Sequence, residues 1–191
     1  MPNQNSPSGF KVANHKAGGT ANRLGRYHIA GAYGSNIVSG DAVEPTTTSK
    51  NIIRPTAAAD RLIGVFDGCF YLDPNQSAPQ YNRLWPAAQV ILSGSTVDCQ
   101  VYDDPNCIFE AQMSNAFALT GIGSLADLVI GTANLNVKTS ADAIDSTTVD
   151  ASGTVFRIED VVNRPDNAVG QFARVLVSIS KHYRAGAQTG I

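Results

Sequence analysis

The segment Thr154–Ser180, TVFRIEDVVNRPDNAVGQFARVLVSIS, constrains the fold of this chain more than any other. Phe156 and Ile158 alternate with Arg157 and Glu159, while Val175, Val177 and Ile179 alternate with Arg174, Leu176 and Ser178, the period of half-buried strands. Between them lies Asn163-Arg164-Pro165-Asp166-Asn167-Ala168-Val169-Gly170, where Pro presets a turn, Asn and Asp bond locally and Gly takes positive φ. A hairpin follows. Requiring one apolar face predicts Ile158 opposite Val175, Phe156 opposite Val177 and a cross-strand ion pair between Glu159 and Arg174.

The rest of the chain extends this β character. Seventeen Gly and nine Pro, with 43% hydrophobic and 16% charged residues, suit many short strands joined by turns in a globular chain of 191 residues. Strands are predicted at Arg26 to Ala30, Asn36 to Val43, Leu62 to Leu72, Ala88 to Leu92, Val97 to Tyr102, Ile108 to Met113 and Leu135 to Lys138. Asp73-Pro74-Asn75 and Asp104-Pro105-Asn106 read as two similar turns capping strand ends. Ser124-Leu125-Ala126-Asp127 has a capping Ser and Gly131 to end a short helix, and Ala57 to Leu62 reads as a further helical turn. The expected class is all-β: an antiparallel β-sandwich or jelly-roll-like barrel with an extended N-terminal arm and few short helices. Residues 1–25 form the arm, with Phe10 as its anchor; 26–183 form the β-rich domain; 184–191 form a C-terminal tail.

Several function classes are disfavoured. MPNQNSPSG has neither a basic nor an apolar leader region, and no run of eighteen apolar residues exists, so neither export nor membrane insertion is expected. Three cysteines are an odd count for a disulfide framework. A hairpin register setting Cys99 opposite Ala111 separates Cys99 from Cys107 by ~13 Å, too far to bridge, so all three are read as reduced, buried small hydrophobes. Residues 1–40 carry Lys11, Lys16, Arg23 and Arg26 with no acid, residues 41–150 hold thirteen acids against five bases, and the remainder three against five. Basic ends around an acidic middle read either as ordinary solvated surface or as termini that contact an acidic neighbour while the middle faces solvent.

No motif argues for catalysis or a cofactor. Gly121-Ile122-Gly123-Ser124-Leu125-Ala126 fits a loose dinucleotide pattern, yet Gly131 ends the helix early and no parallel strand follows. His15, His28 and His182 lie apart in the sequence and no G-x-S-x-G elbow accompanies them. Cys69, Cys99 and Cys107 lack zinc spacing, and Asp103, Asp104 and Asn106 lack the Glu of a calcium loop. Glu159 and Asp160 are adjacent on a strand and so point to opposite faces. Four cations spread over some twenty residues, beside an acidic body, are too sparse for nucleic acid. No cofactor, metal, nucleic acid or membrane is expected as a partner.

Three passages carry a family resemblance: Arg61-Leu62-Ile63-Gly64-Val65-Phe66 with the Asp73-Pro74-Asn75 turn, then Val101 to Gln112 (VYDDPNCIFEAQ), then Val161 to Phe172 (VVNRPDNAVGQF). In this order they resemble the head decoration, or cement, proteins of tailed bacteriophages, in a group with an N-terminal arm, a "DDP-x-x-x-FE-x-Q" segment and a "VNRPDNA-x-G" hairpin. The likeness covers roughly residues 26–183. It implies a β-rich, non-enzymatic virion protein, made in the host cytoplasm, on the outer surface of the capsid. Its partners would be the major capsid protein and itself, as a homo-dimer or homo-trimer at capsid symmetry axes. Such a protein bridges neighbouring capsid subunits of the expanded, DNA-filled head.

Phe10, Arg23, Arg26 and Tyr27 are the expected capsid or oligomer contacts. The alternative is a receptor- or carbohydrate-binding head appendage stacking sugars on Trp85, Tyr81 or Tyr71. A small hydrolase would instead depend on His28 or His182.

Overall fold

The computed structural model describes residues 3–19, 23–46, 50–75, 78–149 and 153–187. Parts of the expected arm (1–2, 20–22) and tail (188–191), together with residues 47–49, 76–77 and 150–152, lie outside the described residues. Within them the strands are β1 (Lys11–His15), β2 (Gly25–Ile29), β3 (Ile37–Val38), β4 (Ala42–Pro45), β5 (Ile52–Ile53), β6 (Gly64–Leu72), β7 (Pro79–Asn82), β8 (Leu84–Trp85) and β9 (Val97–Tyr102). There follow β10 (Cys107–Gln112), β11 (Leu125–Ala126), β12 (Leu128–Val129), β13 (Ala143–Ile144), β14 (Phe156–Val161), β15 (Arg174–Ile179), β16 (Lys181–His182) and β17 (Gly186–Ala187). A 3-10 turn at Leu119–Gly121 is the only helical element among the described residues. The protein is all-β and its strand pairs are antiparallel.

Two sheets divide the work. One is open, in the order β1-β10-β15-β14-β11; the other runs β2-β9-β6-β4-β5, with β7 on the second half of β6. A bridge from His28 to Asn51 brings β5 back to β2, so the second sheet nearly closes into a small barrel. Tyr27, Ile29, Val43, Phe66, Cys69, Val97, Cys99 and Val101 fill the barrel, plugged by Ile37 and Trp85 of the two-stranded β3–β8 ribbon. The open sheet buries Phe109, Ala111, Phe156, Ile158, Val175, Val177 and Ile179 in a second core. Ala42 and Val65 face this second core, while their neighbours Val43 and Phe66 face the barrel core. The β4–β6 wall is thereby shared.

The closing hairpin forms with a different register. Phe156 pairs Ile179 and Ile158 pairs Val177; after a bulge at Glu159, Val161 pairs Val175. A slip of two residues keeps the same side chains inward, so periodicity alone cannot detect it. The loop ends decide it: the Asn167 amide donates to Val162 O and Arg174 O and accepts from Arg174 N–H, clamping both strands at that rung. The bulge carries Glu159 to Lys16, at 2.8 Å, and to the Ser178 hydroxyl. The expected Glu159–Arg174 pair is replaced by Arg174–Glu110 at 3.5 Å.

Other expectations are also corrected. β9 and β10 do not form a hairpin; β9 lies in the barrel and β10 in the open sheet. Cys99 consequently sits opposite Cys69 and Tyr27, not Ala111. All three cysteines are free and buried. Burial pushes the Cys69 thiol up to about 12 and Cys107 up to about 11. Ala88 to Leu92 and Leu135 to Lys138 are not strands; the second is a turn bridged from Asn134 to Thr139. The expected helix after Ser124 is instead β11 and β12, with β11 paired to β14. The Ala57–Leu62 helical turn is a plain turn closed by the Asp60 carboxylate. Both Asp-Pro-Asn turns form, with Asp73 and Asp104 each accepting the N–H of the Asn two residues on, at 2.8 Å.

At the end of the shared wall lies a buried charge triad. Asp41 and Asp142 are fully buried, and Arg54 bonds both, the latter at 2.8 Å. Asp142 also accepts the N–H of Ala42 and Gly131, each at 3.0 Å, and Asp41 that of Val38 at 2.8 Å. Burial opposes the Arg54 charge, but the two carboxylates outweigh it and hold the guanidinium protonated. Burial raises Asp142 to about 6 against the pull of Arg54. Because the folded carboxyl keeps its proton to higher pH than the unfolded one, its contribution to stability falls as pH rises from about 4 to about 6.

Removing the cation strands two buried carboxylates, which costs about 3–5 kcal/mol. Arg54→Met is expected to lose that much in urea unfolding above pH 7, and less near pH 4, where Asp142 is protonated. An equal loss at both pH values would contradict this assignment.

Candidate interaction site

The two stretches with the most distinctive sequence, Val101 to Gln112 and Val161 to Phe172, meet at one place on the surface. Glu110 of β10 receives Arg164 of the hairpin loop through two bonds of 3.1 Å, a bidentate pair, and Arg174 of β15 at 3.5 Å. Gln112 is buried on the same strand, and its amide donates to Phe172 O at 3.1 Å and to Gln4 O at 2.8 Å while accepting Ser6 N–H at 3.0 Å. The hairpin tip thus holds the N-terminal segment. Asn3 completes the grip, its amide donating to Ala168 O and Gln171 O and accepting Ala168 N–H at 2.9 Å. Arg174 reaches Ser6 O and the Ser8 hydroxyl. A cavity of about 340 Å³ lies between segment and hairpin, lined by Asn3, Gln112, Asp166 and Asn167.

The geometry explains why such a segment can order. Residues 3–8 are polar and bury little, but Gly9, at φ +67°, turns the chain against Gly40 and Ser140, where a Cβ would collide with both. Phe10 then enters the core, 3% exposed, stacked on Phe156 at 4.7 Å and edge-on to Phe109 at 6.5 Å. β1 follows as the edge strand beside β10.

The expected contact residues are therefore not equivalent. Arg23 and Arg26 are exposed, Arg26 with its side chain 78% accessible and paired to Asp98 at 2.9 Å. Phe10 faces inward. Tyr27 is 5% exposed and donates its hydroxyl to the buried Asp103 at 2.7 Å, which also binds Arg184 at 2.8 Å. Burial first, then the Asp103 bond, holds the Tyr27 phenol protonated well beyond its usual range. Of the three aromatics considered for sugar stacking, Trp85 and Tyr71 are buried against each other, with ring centres 5.7 Å apart. Tyr81 is exposed and packs on exposed Phe70 at 4.7 Å.

Each histidine has its own partner. His15 meets Asp104 at 3.4 Å, His28 meets Asp98 at 3.1 Å, and His182 is fully buried, accepting the Arg184 N–H. Burial lowers the His182 pKa. Among the described residues no three His, Cys, Asp or Glu side chains group as metal ligands would.

Glu110, Gln112, Asn3 and Asn167 are the functional candidates that sequence reasoning missed. Their signal was present in the alternation of β10, which puts Glu110 on the opposite face from Phe109, but nothing local said that the hairpin tip would come to that face. Comparison of the chain with protein-family models, curated proteins and solved structures gives no match.

Gln112→Ala removes the amide that joins residues 4 and 6 to the hairpin. Hydrogen exchange is expected to accelerate at Ser6 and Ala168 by more than at barrel amides, which report only the global loss, and stability to fall by about 1–3 kcal/mol. Unchanged protection at Ser6 would contradict the clasp.

Proposed function

We propose that this chain is a capsid decoration protein of a tailed bacteriophage, binding the outer surface of the head and cementing neighbouring major capsid subunits. One observation carries the reading. The two stretches that resemble the cement group, through Glu110 and Gln112 on one side and Arg164, Asn167 and Arg174 on the other, converge on a single clasp that organises the N-terminal segment. The chain acts by adding interface, not by turnover. Copies bound at many equivalent positions, as a homo-dimer or homo-trimer, sum weak contacts through avidity and oppose the pressure of packaged DNA.

The arrangement also narrows what contacts the shell. Exposed Arg23 and Arg26, and separately the polar residues 3–8, belong to the accessible surface contributed by this part of the chain. Phe10 and Tyr27 are buried and would act by holding their own segments in place. Recognition of a glycan receptor keeps one support, the exposed Phe70–Tyr81 pair, and is the second reading.

Co-sedimentation with expanded heads stripped of decoration tests the proposal. The intact chain is expected to pellet with heads, and deletion of residues 1–8 or Arg23→Glu with Arg26→Glu to weaken binding about tenfold or more while circular dichroism is unchanged. Deleting residues 1–25 would be uninformative, because it removes Phe10 and β1 from the fold. Failure of the intact chain to bind heads would overturn the function; binding undiminished in both variants would overturn the role of the basic end.

A further inference from the structure

A second feature, separate from the clasp, is a cleft of about 410 Å³ between β1, the Ser39–Gly40 turn, the barrel wall at Asp67 and Tyr102, and the 137–139 turn. It is large enough for a ligand, whose pockets run to roughly 300–1,000 Å³. Three cations line it: Lys11, Arg83 and Lys138. None of them is ion-paired with a described carboxylate, whereas Lys16, Arg26, Arg54, Arg164, Arg174 and Arg184 all are. The single lining carboxylate, Asp67, accepts the Tyr81 hydroxyl at 3.2 Å.

Two of these charges are held in place by neutral acceptors. Arg83 donates to the Ser39 hydroxyl at 2.8 Å, and Lys138 donates to the Asn82 side-chain oxygen at 2.8 Å. Such bonds orient a cation without neutralising it. Lys138 also occupies left-handed backbone, φ +52°, which a residue with a Cβ adopts only when its surroundings impose it. Here the Asn134 side chain accepts the Asn136 and Val137 N–H groups, and Asn134 and Thr139 exchange backbone bonds of 2.9 and 3.1 Å. The turn is built to present Lys138.

Apolar surface accompanies the charge. Val12 lines the cleft with Val137, which is 65% exposed, and buried Phe10 and Val65 form part of its wall. β1 is the edge strand of its sheet, so an extended chain could also bond its free side. We infer that this cleft is a binding site for an extended acidic peptide segment of a partner protein, one that places carboxylates on Lys11, Arg83 and Lys138 and an apolar side chain against Val12 and Val137. Three cations beside a carboxylate and an apolar wall suit spaced carboxylates better than the dense charge of a nucleic-acid backbone. The inference does not depend on the capsid reading.

Titration of the full chain with an eight-residue peptide carrying three glutamates spaced by valine and serine, followed by fluorescence anisotropy and amide chemical shifts, tests this. Saturable binding is expected, with shifts at Gly40, Tyr102 and Thr139, weakened about tenfold by Arg83→Gln or Lys138→Gln and abolished when glutamine replaces the glutamates. Lys50→Gln, the loss of an exposed cation elsewhere, is expected to leave affinity unchanged, and the thermal midpoints of all three variants to match the parent. No binding at about 1 mM peptide, equal weakening by Lys50→Gln, or tighter binding of a single-stranded oligonucleotide at the same residues would each overturn the assignment.

Discussion

Ala42 and Val65 face one core and Val43 and Phe66 the other, so where β4 meets β6 neither side is solvated and a charge at that margin must be opposed from within the protein. Asp41 immediately precedes this wall, where its carboxylate is cut off from water. Arg54, just past β5, supplies the opposing charge, and Asp142 ties the far loop to the same cation. Asp142 also receives backbone N–H groups from Ala42 and Gly131. The triad thus joins four separate stretches of chain that apolar packing alone would leave free to slide. An ion pair so deeply placed stabilises weakly relative to apolar residues of the same size, but breaking it is costly, which suits a joint that specifies one arrangement.

The same shared wall sets where the surface features fall. Because Phe10 completes the core beneath the open sheet, the chain before it must leave the core at Gly9 and run over the hairpin tip. Because β1 then occupies the sheet edge, the cleft between it and the barrel acquires Lys11 on one lip and Arg83 and Lys138 on the other. Clasp and cleft lie on either side of Phe10.

Much of this was legible in the sequence. Alternation located Val97 to Tyr102, the long strand ending at Leu72 and the closing hairpin, because half-buried strands declare their inward face residue by residue. What alternation cannot specify is the partner: β9 and β10 both alternate, and either core would accept either strand, so the expected hairpin between them was wrong. The hairpin register failed for a related reason, since a two-residue slip preserves the apolar face and the deciding bond belongs to the Asn167 side chain. Phe10 was correctly singled out as the anchor of its segment, but its depth depended on Phe156 and Phe109, both about a hundred residues or more away in sequence. The clasp and the cleft were illegible for the same reason, as each joins residues from at least three distant segments.

The proposed place of this chain is the outside of a phage head, with the clasp and the N-terminal segment toward the shell. Electron cryomicroscopy of heads assembled with and without the chain tests it most directly. Additional density is expected on the outer surface at capsomer boundaries, fitted by the two-core β fold with residues 3–8 and the hairpin tip against capsid subunits. Heads whose outer surface is identical in the two preparations, or density confined to the interior or the tail, would contradict it.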